Sequence, residues 1–301
     1  MAIKENSITI NELEWFYREA EPLNPSAKPP VLLLHGLPSQ SYGWRNVMPA
    51  LAEQGFRSIA PDWIGFGFSG KPDKRSFAYT SDAYVQALAD FLQALEIPRL
   101  FLVVQGFLGS VGLQYALRHP DAIERLAILN APITTAAKLP WKMKQLGLPL
   151  VGEMLTQDPL LVDRTLEGGG GYRVEDADLD VYRRPFLKSS AAGRSLFTVV
   201  QSSNSLRPQR KLKRDLPTGS SRPWWRGACA TPGCRLASLN PLAKLCPRQN
   251  WPNSKKSAIT LKKTGMKRST PCCLTFCAVS CSRGASLGTT VWRQIREQVN
   301  A

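Results

Sequence analysis

The chain has 301 residues, of which 43% are hydrophobic and 21% charged, and its formal net charge is +16 at pH 7. This length suits one large α/β domain with a lid, and it is ample for a buried core. Because no apolar run is long enough to span a membrane and no hydrophobic leader follows Met1, the sequence favours a cytoplasmic protein without a membrane partner.

The charge is divided unevenly along the chain. Residues 1–200 carry 20 Lys and Arg against 21 Asp and Glu, whereas residues 201–301 carry 19 Lys and Arg against only two acidic residues. All seven cysteines lie in the second part, and both histidines, His35 and His119, lie in the first. Since ordinary domains do not lose their carboxylates in this way, we predict that 201–301 is a basic, cysteine-containing and poorly ordered tail.

The first part alternates predicted strands and helices. Apolar residues flank Asn11–Glu12 in the pattern of an opening hairpin. Wholly apolar runs predict buried strands, and apolar residues at helical spacing predict a helix whose N-cap is Ser81. This alternation predicts an α/β fold with a mostly parallel sheet and right-handed crossovers. The strands predicted for that sheet are Val31–Leu34, Ser58–Ala60, Leu100–Val104 and Arg125–Asn130.

The stretch Arg99–Pro120 is the centre of this pattern. Its apolar strand is followed by small residues and then by a helical spacing that stops at His119–Pro120. A strand, a tight turn and a helix are the parts of a nucleophile elbow, in which a strained turn lifts a Ser, Asp or Cys above the sheet. The residue at this turn is Gly106, which has no side chain that could attack a substrate.

Three stretches carry a family resemblance: HGLPSQSYGWR from His35, APDWIGFGFSGKP from Ala60, and the strand, turn and helix around Gly106. Together they resemble the α/β-hydrolase fold, in particular its epoxide hydrolase and haloalkane dehalogenase group. The resemblance covers about residues 7–200, and it implies that the family's last strands are missing. The implied domains are an α/β core over 1–132, a helical lid over 133–186, a return helix over 187–200 and the tail over 201–301.

The resemblance places an oxyanion hole in the turn formed by His35, Gly36, Leu37 and Pro38. Its two backbone N–H donors would be those of Leu37 and of Phe107, the residue after the elbow position, where they would stabilise developing negative charge. The alternative interpretation of this sequence is a turn that merely ends a strand.

The nucleophile is missing from its expected place. Members of the resembling family carry a catalytic Asp at the position held by Gly106. The nearby hydroxyl of Ser110 lies inside the predicted helix, so we interpret Ser110 as a packing residue and keep it only as a fallback nucleophile. Dehalogenases also have an Asn and a Trp where this chain has Leu37 and Phe107, which argues against haloalkane dehalogenation.

The general base is missing as well. The family's catalytic His lies on a loop far downstream, but no His follows His119 in this chain. His119 ends a helix, and His35 belongs to the oxyanion turn. Neither histidine is therefore expected to act as the base.

A shift of reading frame accounts for the foreign tail. When the last base of each codon is joined to the first two of the next, Pro223–Arg235 can encode LVAWGMRDPWLP, which resembles the family's segment with the catalytic acid. In the same frame, Asn253–Met266 can encode LEEVGHYPQEDWD, which resembles the segment around the catalytic His. Two such segments in the right order predict that 201–301 is frame-shifted. The shifted Asp and His would fall across Ala230/Thr231 and across Ala258/Ile259.

Two other interpretations of the tail were weighed against the frameshift. Its charge and tryptophans suit nucleic-acid binding through phosphate neutralisation and stacking. Its cysteines suggest zinc, but they form no C-x-x-C pair and have no His partner. We expect no specific nucleic-acid partner, no metal and no cofactor.

The sequence supports two functional hypotheses. The first is a hydrolase by descent, of the ester, epoxide or carbon–halide class, with little or no activity in this chain. The second is a non-catalytic homologue that binds a small apolar ligand under the lid. Gly106 favours the second hypothesis, because a frameshift downstream cannot explain a missing nucleophile upstream.

Overall fold

The computed structural model describes residues 2–24, 26–132, 139–158, 160–170, 173–204, 226–229 and 276–280. Its strands are β1 (Lys4–Ile10), β2 (Leu13–Ala20), β3 (Val31–Leu34), β4 (Ser58–Pro61), β5 (Leu100–Gln105), β6 (Ile123–Leu129), β7 (Arg226–Cys229) and β8 (Phe276–Ser280). They form one sheet in the order β1-β2-β4-β3-β5-β6-β8-β7. The predicted α/β fold with a mostly parallel sheet is confirmed, because β4, β3, β5 and β6 pair in parallel.

Helices cover both faces of this sheet and form the segment after β6. They are α1 (Val47–Glu53), α2 (Ser81–Ala94), α3 (Gly109–Arg118), α4 (Trp141–Gln145), α5 (Val151–Thr156), α6 (Leu161–Gly170), α7 (Asp176–Lys188) and α8 (Ser190–Gln201). The helices α4 to α6 lie in the range predicted for the lid, 133–186, and α7 extends two residues beyond it; we call the described residues between 141 and 188 the lid segment. None of the helices in the described ranges combines the length and the hydropathy needed to cross a bilayer.

The chain opens with the predicted hairpin. β1 and β2 pair antiparallel, with Ile10 opposite Leu13, so the loop consists of Asn11 and Glu12 alone. Both loop residues have positive φ, 48° and 64°, as a two-residue turn of the favoured twist requires. The hairpin lies at one edge of the sheet, where its outer strand carries mostly exposed polar residues.

The cap of α2 differs from the prediction. Thr80, and not Ser81, is the N-cap, because its backbone is extended and its side chain accepts a hydrogen bond from the Ala83 N–H. Ser81 is the first helical residue and is buried. Both residues carry a hydroxyl that can cap a helix, and the backbone conformation selects between them.

The core explains why the central strands are apolar along their whole length. Alternate residues of β3 enter two different clusters: Leu32 and Leu34 pack with α2 and α3, whereas Val31 and Leu33 pack with α1. A parallel strand covered on both faces has no solvent side. The uninterrupted apolar runs in the sequence therefore indicate strands that are buried on both faces of the sheet.

The sheet continues past β6 in a manner that the family pattern does not predict. β8 pairs antiparallel with β6, and β7 pairs antiparallel with β8. In the described part of the chain no parallel strand follows β6, and whether the family's last strands are missing stays a prediction. The rest of the predicted tail lies outside the described residues, so its poor order stays a prediction.

A buried carboxylate organises the glycine-rich turn after β4. Asp62 accepts hydrogen bonds from the backbone N–H groups of Ser41 (2.6 Å) and Phe68 (2.8 Å), and its own carbonyl accepts one from the Ser69 hydroxyl (2.7 Å). A Cβ atom at Gly67 would overlap the Asp62 carboxylate, and Gly67 has φ +49°. The glycine therefore leaves room for the acid that holds two loops together.

We expect Gly67→Ala to lower the free energy of unfolding by about 2 kcal/mol or more, because the methyl group meets the carboxylate and the backbone strains in the left-handed region. Urea denaturation measures the change. The matched control is Gly168→Ala, since a Cβ there meets nothing within 4 Å and lies in α6. This control should leave the free energy of unfolding unchanged or raise it by up to about 1 kcal/mol. Equal losses in both variants would contradict the assigned role of Asp62.

Candidate active site

The turn between β5 and α3 has the geometry of a nucleophile elbow. Gly106 follows the last residue of β5 and has φ +64°, a conformation that residues with a side chain rarely adopt. Its N–H donates to the Leu129 carbonyl at 2.9 Å, which fixes the turn to the end of β6. Gly109 then begins α3, three residues after the apex. The predicted strand, turn and helix are therefore all present, with glycine at the apex.

The small residues after the apex let α3 lie close against the sheet. A Cβ at Gly109 would be 2.7 Å from the Ala131 Cβ, and one at Gly112 would be 2.5 Å from a Val104 methyl group. Real Cβ atoms do not approach other atoms so closely, so larger residues would push the helix away from β5. The glycines that the sequence grouped with the elbow serve this packing.

The turn after β3 meets the apex of the elbow. A Cβ built on Gly106 would lie 3.0 Å from the Gly36 Cα and 3.8 Å from the Leu37 backbone nitrogen. Within the described residues, the N–H groups of Leu37 and Phe107 have no hydrogen-bond partner. A side chain at position 106 would therefore begin beside a free backbone donor. Such a pair of donors can stabilise a negatively charged oxygen.

His35 is held in one neutral form by its surroundings. Its Nδ1 lies 2.9 Å from the Gly36 carbonyl, which can only accept, so Nδ1 carries the proton and donates it. Its Nε2 accepts a hydrogen bond from the Trp63 backbone N–H at 3.0 Å. His35 is fully buried, and burial lowers the pKa of its imidazole below the ordinary value of 6.5. Both ring nitrogens are engaged, so the ring secures the turn and has no free position for proton transfer.

The other residues that the sequence singled out lie away from this point. Ser110 is buried inside α3, and its hydroxyl donates to the Phe107 carbonyl at 2.9 Å. His119 follows the last residue of α3 and stacks on Tyr115 with ring centroids 4.6 Å apart. Because α3 is 10 residues long, it separates His119 from the elbow by about 15 Å. Pro38 follows Leu37 through a cis peptide bond.

Two parts of the site were not recognised from the sequence. The central role of Asp62 could have been suspected from Gly65 and Gly67, because glycines around a buried acid indicate close approach of its carboxylate to the backbone. The polar contacts of the lid segment with the residues after Pro38 left no such signal. Among the described residues there is no group of His, Cys, Asp and Glu that could hold a metal ion.

We expect the chain to lose stability as the pH falls below about 6.5, because the folded state holds His35 neutral while the unfolded chain binds a proton. Because the pKa of His35 is lower in the folded than in the unfolded chain, its contribution to stability is present above pH 6.5 and is lost on acidification. The unfolding equilibrium constant can rise by up to about tenfold for each pH unit. Urea titrations between pH 7.5 and 5.5 measure this slope. His35→Gln should flatten this slope, and an unchanged slope in folded His35→Gln would contradict the buried-histidine assignment.

Comparison with known proteins shows which proteins the chain resembles. The model for the alpha/beta hydrolase fold matches residues 29–158. A haloalkane dehalogenase of Mesorhizobium japonicum is 34% identical over 194 residues, 62% of this chain and 60% of that protein. A cis-3-alkyl-4-alkyloxetan-2-one decarboxylase of Shewanella oneidensis is 34% identical over 167 residues, 55% of this chain and 50% of that protein. The chain thus spans 60% or less of the length of these curated relatives.

Solved structures resemble the chain over a larger share. The haloalkane dehalogenase DbeA from Bradyrhizobium elkani is 26% identical, with a TM-score of 0.59 over 71% of this chain and 74% of that chain. The epoxide hydrolase CorEH is 25% identical, with a TM-score of 0.57 over 68% of this chain and 76% of that chain. Together with the elbow and the turn that faces it, these matches confirm the resemblance read from the sequence. The chain has the α/β-hydrolase fold, and it is similar to haloalkane dehalogenases and epoxide hydrolases.

Proposed function

We propose that this chain is a hydrolase by descent, of the ester, epoxide or carbon–halide class, that keeps the oxyanion turn but carries out no covalent hydrolysis. The observation that carries the proposal is the glycine at the apex of the elbow. A Cβ atom built on Gly106 would lie 3.8 Å from the Leu37 backbone nitrogen, but glycine has no side chain to place there. A covalent mechanism needs an attacking atom at this point. Losing that atom costs several orders of magnitude in rate, and the oxyanion donors alone replace little of it.

The chain also has no histidine for the second half of the reaction. In the covalent mechanism an activated water must hydrolyse the enzyme ester, and a His supplies the base. The chain's two histidines are both described: His35 is buried with both ring nitrogens bonded, and His119 lies at the far end of α3. This pattern supports a loss of both half-reactions.

The curated relatives include dehalogenases, but the residues beside the apex do not favour a halide substrate. Leu37 and Phe107 hold the positions where the resembling dehalogenases have an Asn and a Trp. An alkyl side chain and a phenyl ring have no N–H with which to bind a leaving halide. Only their backbone N–H groups remain as donors, and these suit a carbonyl or carboxylate oxygen as well as a halide.

A second candidate function is the non-catalytic binding of a small apolar molecule under the lid segment. Among the residues that the structure describes, the N–H groups of Leu37 and Phe107 have no hydrogen-bond partner, which leaves both as donors for a bound ligand. Both side chains are partly buried and pack against the main apolar cluster. A ligand with one polar oxygen and an apolar body would satisfy both features.

We propose the shift of reading frame as the origin of the tail. The dehalogenase match of 194 residues is close in length to the part of ordinary composition, 1–200, which supports this origin. Sequencing the gene over codons 195–215 should reveal one inserted or deleted base relative to a gene that encodes the family's last strands. An intact frame through that region would overturn the proposal.

We expect the purified chain not to hydrolyse p-nitrophenyl esters, epoxides or alkyl bromides, and Gly106→Asp to restore only the first half-reaction. In that variant, treated with an epoxide, the carboxylate oxygen attacks a ring carbon, the ring carbon–oxygen bond breaks, and the alkoxide oxygen takes a proton from water. Without a base the resulting ester should persist. Intact-protein mass spectrometry should therefore find one added hydroxyalkyl group per chain, and peptide mapping should locate it within residues 100–118.

The matched control is Gly106→Asn, which has the same size and no attacking carboxylate. It should remain unmodified under the same conditions, as should the unaltered chain. Circular dichroism and urea denaturation establish that both variants are folded. If folded Gly106→Asp acquires no hydroxyalkyl group at position 106, or if the unaltered chain turns over any of the three substrates, the proposal is wrong.

Ser110→Ala provides an independent check on the fallback nucleophile. Because its hydroxyl is buried and donates to the Phe107 carbonyl, we expect the substitution to lower the free energy of unfolding by about 1 kcal/mol. It should leave the alkylation of Gly106→Asp unchanged. Alkylation or ester turnover that disappears with Ser110→Ala would instead identify Ser110 as the nucleophile.

A further inference from the structure

One carboxylate of the lid segment is bound to the core beside the oxyanion turn. Asp178, in the first turn of α7, accepts a hydrogen bond from the Tyr42 hydroxyl at 2.8 Å on one oxygen and pairs with the Arg45 guanidinium on the other. The side chains of Asp178 and Arg45 are 23% and 27% exposed, so this pair is largely shielded from water. The Tyr182 ring of α7 packs edge-on against Tyr42, with centroids 5.5 Å apart.

A proline creates a second link one turn away. Pro185 lies inside α7 and has no N–H, so it cannot donate to the Val181 carbonyl four residues earlier. That carbonyl accepts a hydrogen bond from the Gln40 side-chain amide at 2.9 Å, and Gln40 is buried. The Val181 carbonyl can therefore accept from the core, whereas a residue with an N–H at position 185 would have used this carbonyl within the helix.

The core residues in both links belong to the segment that follows the oxyanion turn. Gln40, Tyr42 and Arg45 lie within eight residues of Leu37 in the sequence. The Ser39 N–H donates to the Gly36 carbonyl at 3.1 Å, which joins this segment to the turn itself. On its inner side the segment is held by Asp62, which accepts from the Ser41 N–H.

We propose that Asp178 is a positioning residue for the Leu37 N–H donor: with the Gln40 link, it docks α7 on residues 40–45 and so fixes the turn that presents this donor to position 106. This role rests on the proposed function only in taking Leu37 as a donor of the site. Asp178 itself acts through Tyr42 and Arg45, and among the described residues it forms no hydrogen bond or ion pair with the elbow. When α7 leaves the core, residues 40–45 lose their outer partners, and the donor is no longer held in place.

The neighbouring carboxylate on the same helix provides a matched control. Asp180 is 62% exposed and pairs with Arg183, three residues later on α7, and within the described ranges it forms no hydrogen bond or ion pair with the core. Asp178→Asn and Asp180→Asn change charge and size in the same way two residues apart. Only the first removes the charged acceptor between the lid segment and residues 40–45.

Hydrogen exchange of the hydrogen-bonded amides of Ser39, Ser41, Gly43 and Arg45 tests the docking in the full chain. We expect Asp178→Asn to accelerate their exchange about tenfold, because the loss of a hydrogen bond to a charged group favours local opening. Asp180→Asn should change it by less than about twofold. Arg45→Met added to Asp178→Asn should have little further effect, since both remove one interaction.

The second measurement is the alkylation rate in the Gly106→Asp background. Asp178→Asn should lower the rate at saturating epoxide about tenfold and leave the half-saturating concentration unchanged, because the carboxylate at position 106 loses an oriented donor. Should Asp178→Asn fail to fold, Tyr42→Phe removes one hydroxyl from the same link and should accelerate exchange in the same amides. Unchanged exchange in these amides, or equal acceleration by Asp180→Asn, overturns the proposal. Failure of Gly106→Asp to be alkylated overturns the proposed function and leaves the exchange result to decide the docking role.

Discussion

The structure depends on the close approach of two backbone turns, which leaves very little room for a side chain at Gly36. A Cβ at Gly36 would lie 3.0 Å from the Gly106 Cα and 3.1 Å from the Gln105 carbonyl oxygen, so the turn after β3 rests directly on the elbow. The parallel pairing of β3 with β5 brings the ends of the two strands together at one edge of the sheet. The packing of α3 and the placement of the Leu37 and Phe107 N–H groups follow from this contact.

The buried side chains of His35 and Asp62 fix the two loops that form this contact. The imidazole joins the turn after β3 to the Trp63 backbone, and the carboxylate joins the next residues of the chain to the glycine-rich turn. Both are buried polar groups whose hydrogen bonds are satisfied, and such groups specify one arrangement of loops where an apolar core would allow several. The precision of the site therefore comes from residues that cannot take part in chemistry.

The sequence predicted those features that depend on local pattern. The apolar runs located β3, β4, β5 and β6, since burial on both faces removes every polar position from a strand. The elbow was recognisable because a strand, small residues and a helix stop follow one another within Arg99–Pro120. Interactions between distant residues escaped prediction. Tyr42 and Asp178 are 136 positions apart, and nothing in either neighbourhood indicates the other. Thr80 displaced Ser81 as a cap because two adjacent hydroxyl residues give the same sequence signal.

The positive φ at Gly106 affects which residue evolution retains at the apex of the elbow. For an L-residue with a side chain, φ near +64° costs roughly 1–2 kcal/mol, and glycine avoids that strain. An active relative must tolerate the strain at its nucleophile, whereas a chain released from catalysis gains stability when glycine replaces it. Selection for folding alone would then retain Gly106 and oppose its reversal. In a chain that no longer needs a nucleophile at this turn, the backbone geometry alone would keep glycine in place.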